Sequence, residues 1–362
     1  MDGRNVLIWL SSIQGVGYGS IRKLMEAYPS MDRVWTCPGD EIYKVLGKTS
    51  KAAVKIVNLR SEEYLKKVLE RVEREGLSVI TILDGNYPDK LKKIYDPPFV
   101  LYYKGKLPGE VPTVGIVGAR NATPYGKWAA KKFSRELTDW GVGIISGLAL
   151  GIDTESHRGA LENGGYTLAV LGSGIDIPYP VSNSDLMEKI GDSGCVLSEF
   201  FLGEEPLKHH FPQRNRIISA LSDGLFVIEA GEKSGSLITV EYALEHGKDI
   251  FALPGNINCE KSKGTNRLIK EGAKMVLETR DILEELTQWS SLVYKGETKS
   301  LEKELSEEEI KIYQLLKKKP MDADELFYHG GISIQHLNML ISSLELKGYI
   351  TRLSGKTFTV NR

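Results

Sequence analysis

The sequence predicts an α/β protein: a Rossmann-like, doubly wound and mostly parallel sheet, preceded by a small helical domain of helix-hairpin-helix or SAM-like type and followed by a C-terminal winged helix. Three observations carry this. Between Val114 and about Leu286 seven apolar runs, TVGIVG, VGIIS, TLAVLG, CVLSEF, GLFVIEA, DIFALPG and AKMVLE, are separated by helix-length segments or turns. Continuous apolar strands with interposed helices mean a parallel sheet covered on both faces. The stretch before about residue 70 keeps helical spacing instead, and after residue 304 the chain restarts with three helical patterns and a short hairpin. The predicted division is 1–70 helical, 71–288 extended Rossmann-like, 289–304 linker and 305–362 winged helix.

A chain of 362 residues has room for two or three domains. Its 41% hydrophobic and 26% charged residues are those of ordinary globular protein. With 47 basic against 48 acidic side chains, any nucleic-acid site must be a local patch and not a global field. Cys37, Cys195 and Cys259 lie far apart without a C-x-x-C pair, so neither a disulfide framework nor a zinc site is expected. The N-terminal run VLIWL is too short for a signal sequence, and no stretch of about 18 apolar residues occurs. A soluble, cytoplasmic protein without membrane contact is the expectation.

In the helical domain, Ile13, Val16, Ile21, Leu24 and Met25 keep helical spacing around Gly15-Val16-Gly17. Such a glycine turn can offer amides to a DNA phosphate without reading bases, or it can be purely structural. Ile21 stands where the helix-hairpin-helix motif usually has alanine. Gly47-Lys48-Thr49 and Gly355-Lys356-Thr357 mimic the end of a phosphate-binding loop, but Ile42 and Ile350 replace its first glycine, so both are read as turns. The run from Tyr87 to Leu107, rich in proline and aromatic residues, reads as an ordered strap.

The loops at the strands' carboxyl ends are where a ligand belongs. After the first strand, Gly118 makes the turn, Arg120 sits within it, and Thr123 and Pro124 read as N-cap and first helical residue, a ready place for a phosphate. The helix from Tyr125 to Trp140 has Ala129, Phe133, Leu137 and Trp140 on its core face and Lys127, Lys131 and Arg135 on its solvent face. In SGLALGIDTESHRGAL, Asp153 reads as an N-cap with His157 one turn on, a capping and hydrogen-bonding pair without a third metal ligand near in sequence. Arg214 and Arg216 flank Asn215 at a helix start. They cannot both be buried without partners, so at least one should reach solvent or an anion. Ser234, Gly235 and Ser236 precede a last helix with Thr239 one turn in; hydroxyls and free amides form an anion cradle there, and Lys233 adds charge.

Absences narrow the ligand. No G-x-G-x-x-G follows the first strand, and no acidic residue ends the second, where a dinucleotide ribose needs one. No nicotinamide cofactor, indeed no cofactor or metal, is expected.

The motifs VGARNATPYG, SGLALGIDTESHRGAL, VLGSGIDIPYP, FPQRNRIIS, EAGEKSGSLITVEYALEHG and LPGNINCEKSKGTNRLIKEGA, in this order, resemble the DNA-processing protein A family, DprA or Smf. The resemblance implies a non-enzymatic binder of single-stranded DNA, with no catalytic residues, that helps load the RecA recombinase during natural transformation. It also implies that the Rossmann-like domain binds the strand and mediates a homodimer. By motif matching, Arg120 and the group Gln213, Arg214, Asn215 and Arg216 fall at positions that line the DNA pocket. Ile282 and Leu283, on the helix after Thr279, are dimer candidates or core.

The winged helix's would-be recognition helix, SIQHLNMLISSLELKG, carries a single lysine at its far end. A groove reader needs cations, so protein contacts or regulation are expected of it instead. Two rival readings remain. The run G-x-x-S-G-S-x-x-T-x-E-Y-A resembles the phosphate-binding segment of nucleoside-monophosphate phosphoribohydrolases, with Glu241 as candidate acid or base and Arg120 on the phosphate. An adaptor whose terminal domains dock partners and whose crevice is vestigial is the other.

Overall fold

A computed structural model describes residues 1–286, 305–353 and 357–360. It divides into two compact units, Met1–Val293 and Tyr294–Arg362. The linker expected over 289–304 and the Ser354–Lys356 turn of the expected hairpin lie outside the described residues.

Six helices open the chain: α1 (Gly3–Ser12), α2 (Tyr18–Ala27), α3 (Met31–Thr36), α4 (Gly39–Leu46), α5 (Lys51–Asn58) and α6 (Glu62–Arg74). Asp2, Ser50 and Ser61 cap α1, α5 and α6 with side-chain oxygens on the first free amides. The glycine turn between α1 and α2 forms as expected, with Gly15 at φ 87°, which suits a residue without a Cβ. Leu7, Trp9, Ile13 and Ile56 pack in the same core as Val100, Tyr102, Leu171 and Val196 of the following region. The helical segment therefore belongs to the same compact unit as the sheet.

That sheet has the order β1-β2-β6-β5-β4-β3-β7-β8-β9. The seven predicted runs become β3 (Thr113–Val117), β4 (Gly143–Ser146), β5 (Thr167–Val170), β6 (Cys195–Ser198), β7 (Gly224–Val227), β8 (Asp249–Ala252) and β9 (Lys274–Met275), all parallel. β3 to β7 are buried at every residue, which is why they read as unbroken apolar runs. Two strands were not expected. β1 (Ser78–Thr81) and β2 (Val100–Gly105) pair antiparallel with each other, and β2 with β6, extending one edge of the sheet. The strap is thus partly a strand. The rest of it is ordered too: a short helix, α7 (Asp89–Lys92), follows buried Tyr87, whose hydroxyl donates to the Pro98 carbonyl at 2.6 Å.

Between the strands run α8 (Pro124–Asp139), α9 (Ile152–Glu162), α10 (Ser184–Ser193), α11 (His210–Leu221), α12 (Ser236–Glu245) and α13 (Lys263–Lys270), with a short α14 (Arg280–Leu283) after β9. In α8, Ala129, Phe133 and Leu137 are buried as the helical spacing requires. Ile282 and Leu283 are buried in the core, which removes them as exposed dimer candidates. The strand order reverses at β3, which has β4 on one side and β7 on the other; this is the point where such sheets open a crevice.

The second unit has the three expected helices, α15 (Glu307–Lys318), α16 (Ala323–Gly330) and α17 (Ile334–Leu346). With them goes a small antiparallel sheet in the order β10 (Met321–Asp322), β12 (Thr357–Val360), β11 (Ile350–Arg352). The lysine after α17, Lys347, holds both Glu309 carboxylate oxygens at 2.8 Å. It serves an internal ion pair.

Candidate nucleic-acid interface

Gly118 ends β3 in a turn so close to the next elements that a Cβ would lie 2.6 Å from Ile152 and 2.9 Å from the Glu229 carbonyl. Only glycine passes there. Thr123 caps α8 as the sequence indicates, accepting from the Gly126 amide at 3.0 Å. The helix start is nevertheless not open to a phosphate: Glu229, 3% exposed, accepts the Thr123 amide at 2.9 Å and the Thr123 hydroxyl. A protein carboxylate fills the position that a helix N-terminus offers to an anion.

Arg120 projects from the same turn, exposed, with its guanidinium 4.8 Å from the centre of the Phe211 ring. A guanidinium lying on an aromatic face is held without losing its hydrogen-bonding edge. After β4, the loop Gly147–Gly151 passes through Leu148 at φ 58°, a left-handed conformation that a branched side chain avoids. Asn183 secures it by donating to the Leu148 carbonyl at 2.9 Å. Asp153 does not cap its own helix, whose N-cap is Gly151. It accepts the amides of Gly147 and Ala149 at 3.2 and 3.3 Å instead, folding the loop back on itself.

Arg214 enters this loop from α11. Its Nη1 donates to the carbonyls of Gly147 and Val170 and its Nε to Asn215 Oδ1 at 3.1 Å. A Cβ on Gly147 would collide with the guanidinium, so the two positions fit only each other. Burial pushes Arg214 down to about 10, with Arg120 adding to the fall and Asp153 opposing it. It stays charged at neutral pH. Burial raises Asp153 while Arg214 and the two amides pull it back. His157 lies beneath, its Nδ1 2.7 Å from Thr167 Oγ1, and burial holds its imidazole neutral by lowering it to about 3.

These parts wall a crevice of 640 Å³. Of the residues singled out in the sequence, Gly118, Arg120, Arg214, Asn215, Ser234, Gly235, Ser236 and Thr239 line it. Asp153 is there too. The start of α12 closes one side, with the Ser234 and Ser236 hydroxyls 2.8 Å apart. Gln213, Arg216 and Lys233 are not among the lining residues. Lys233 is exposed outside it, and Gln213 and Arg216 line another cavity. Both arginines around Asn215 turn out buried, and both have partners: Arg216 meets Asp96 at 3.0 Å and Glu199 at 2.6 Å. No anion beyond the protein is needed to keep it inside.

Lys208, Phe211 and Tyr179 also line the crevice and went unnoticed in the sequence. The signal was present in part, since Phe211 lies two positions and Lys208 five positions before Gln213 of the QRN triplet, but nothing local says that the start of α11 faces this way. Glu241, the acid of the hydrolase reading, is exposed on α12 and does not line the crevice. Among the described residues no group of three or more His, Cys, Asp or Glu side chains is arranged to hold a metal ion.

Comparison with known proteins adds the history of this arrangement. The model of the family described as DNA recombination-mediator protein A matches residues 78–287, and that of the DprA winged helix domain matches residues 296–356. The chain belongs to the DNA processing protein A family. Within it, the DNA processing protein DprA of Streptococcus pneumoniae is 49% identical over 206 residues, 57% of this chain and 73% of that one. Protein Smf of Synechocystis is 38% identical over 285 residues, 77% of this chain and 71% of that one. The X-ray structure of S. pneumoniae DprA superposes with a TM-score of 0.68 at 39% identity, covering 78% of this chain and 97% of that one. A structure of the Helicobacter pylori member, which concerns that protein's unique single-stranded DNA binding mode, has a TM-score of 0.52 at 32% identity over 59% of this chain and 96% of that one. The matched span of the DprA family model contains every residue of the crevice. No helix among the described residues is long and apolar enough to cross a membrane.

Proposed function

We propose that this chain binds single-stranded DNA through the crevice, protects the incoming strand and loads RecA recombinase on it in natural transformation and recombination, without catalysing a reaction itself. One observation carries the binding step: Arg120, Arg214 and Lys208 converge with the start of α12 at the sheet's switch point, and Asp153 is the one carboxylate lining it among the described residues. Cations and helix amides at the carboxyl ends of a sheet's strands bind phosphates without reading bases. The single-strand binding of the H. pylori relative supports the same reading. RecA loading, action in the cytoplasm and function as a homodimer are carried by the family resemblance. The lysine at the end of the would-be recognition helix, Lys347, is taken up by Glu309, which supports a role for that unit in protein contacts and not in duplex reading.

The test is a gel shift of the wild-type chain and Arg120→Ala on single- and double-stranded oligonucleotides. Preferential retention of the single strand, lost in the variant, is expected; equal retention by both proteins would sink the proposal. Release of free base from nucleoside monophosphates at enzyme-like rates would favour the hydrolase reading. RecA loading is checked by following RecA assembly on protein-coated single strands with and without this chain.

A further inference from the structure

The Gly15–Gly17 turn does not line the crevice. It lines a second cavity, of 440 Å³, together with Phe99, Glu199, Glu204, Gln213 and Arg216. We propose that this cavity takes an unpaired nucleobase of the strand whose phosphates lie in the crevice, a reading that rests on the single-strand function proposed above.

Its walls suit a flat ring. Tyr18 stacks on Phe99 with centres 4.9 Å apart and planes at 8°, Phe200 on His210 at 4.0 Å and 26°, and both pairs line the cavity. Aromatic faces of this kind stack nucleobases without regard to sequence. An ion-pair network fixes the wall behind these rings. Arg216 is 3% exposed; its Nε and Nη2 serve Asp96 and Glu199, while its Nη1 is buried without an acceptor.

Charge separates this cavity from the crevice. The carboxylates of Asp96, Glu199 and Glu204 outnumber the Arg216 guanidinium, so a phosphate is repelled and a neutral ring with both donors and acceptors is preferred. Position completes the case. The first turns of α11 divide the two spaces: His209, His210, Gln213 and Arg216 face the cavity, and Phe211, Pro212, Arg214 and Asn215 face the crevice. A helix with its side chains is about 10 Å across, so a strand crossing the exposed edge at His209 and Gln213 presents its next bases to the cavity.

The experiment measures binding of the full chain to a labelled oligothymidylate of footprint length by fluorescence anisotropy. It is repeated with each thymine in turn replaced by an abasic site, which keeps the phosphate and removes the ring. One position should weaken binding by about fivefold or more, the low end of a base–aromatic stack. Gln14→Trp and Glu204→Trp fill the cavity from two sides without touching the crevice, and in both the abasic penalty at that position should vanish. A wild-type chain that binds but shows no position weakened beyond about twofold overturns the cavity assignment alone. So does a penalty that persists in both tryptophan variants. A wild-type chain that binds no single strand overturns the crevice reading instead.

Discussion

The Glu229 carboxylate, just beyond β7, accepts the Thr123 amide at 2.9 Å and also the Thr123 hydroxyl, closing the start of α8. The first βα turn, where Rossmann-like proteins seat a pyrophosphate, is therefore occupied by the protein's own anion. Gly126 shows how tight the fit is, since a Cβ there would overlap the carboxylate. In the proposed binding mode, phosphate contact falls instead to the start of α12 and to Arg120 and Arg214.

Glu229→Ala should lower stability by about 1–3 kcal/mol, because it leaves the part-buried Thr123 amide and hydroxyl without their acceptor. Thr123→Ala should be milder, about 1 kcal/mol, as for loss of a helix cap. Urea unfolding of both variants and of the pair measures this, and simple additivity would show that the two residues do not interact.

Arg120→Ala and Arg214→Ala should part company. Arg120 is exposed, so its removal should leave stability within about 0.5 kcal/mol of wild type while reducing single-strand affinity roughly tenfold or more. Arg214 is buried beside Asp153, so its removal should also destabilise the fold by about 3–5 kcal/mol. Denaturation and binding measured on the same samples distinguish the two outcomes.

Salt should weaken binding steeply. If about four phosphates are neutralised in the crevice, log affinity falls with log salt at a slope of about −3. Titration from low to physiological salt tests this, and an affinity indifferent to salt would exclude phosphate contact.

The winged-helix unit should lose stability in acid. Burial alone pushes the Glu309 carboxyl up, but hydrogen bonds from Lys347, Ser343 and the Ser306 amide outweigh it and hold the group down at about 2. A carboxylate depressed in the fold contributes stability that is complete above its ordinary value and disappears as pH falls through the folded one. The loss should therefore run from about 4.5 down to about 2. Hydrogen exchange of residues 305–353 in the full chain follows it, and Glu309→Gln should be less stable at neutral pH and flat across that window.

Much of the architecture is local and was readable. β3 to β7 are covered on both faces, so no polar alternation interrupts them and the runs stand out. Thr123 as a cap and the three C-terminal helices follow from neighbours within a turn. β1 and β2 were hidden because an antiparallel extension mixes polar and apolar residues, and β2 lies inside a proline-rich segment. The crevice was legible as a set of strand-end loops, since topology alone puts them together.

Which arginine of α11 enters it was not. Arg214 and Arg216 are two residues apart on one helix, and their angular separation says only that they face differently. Their destinations depend on groups far away in the chain: the carbonyls of Gly147 and Val170 for the first, the carboxylates of Asp96 and Glu199 for the second. Glu229 reaches Thr123 across more than a hundred residues in the same way. Local sequence dictates periodicity and caps, because those act within a few residues; the pairing of buried charges is decided where the strands and helices meet, because desolvation makes each such charge require a partner that only the assembled fold supplies.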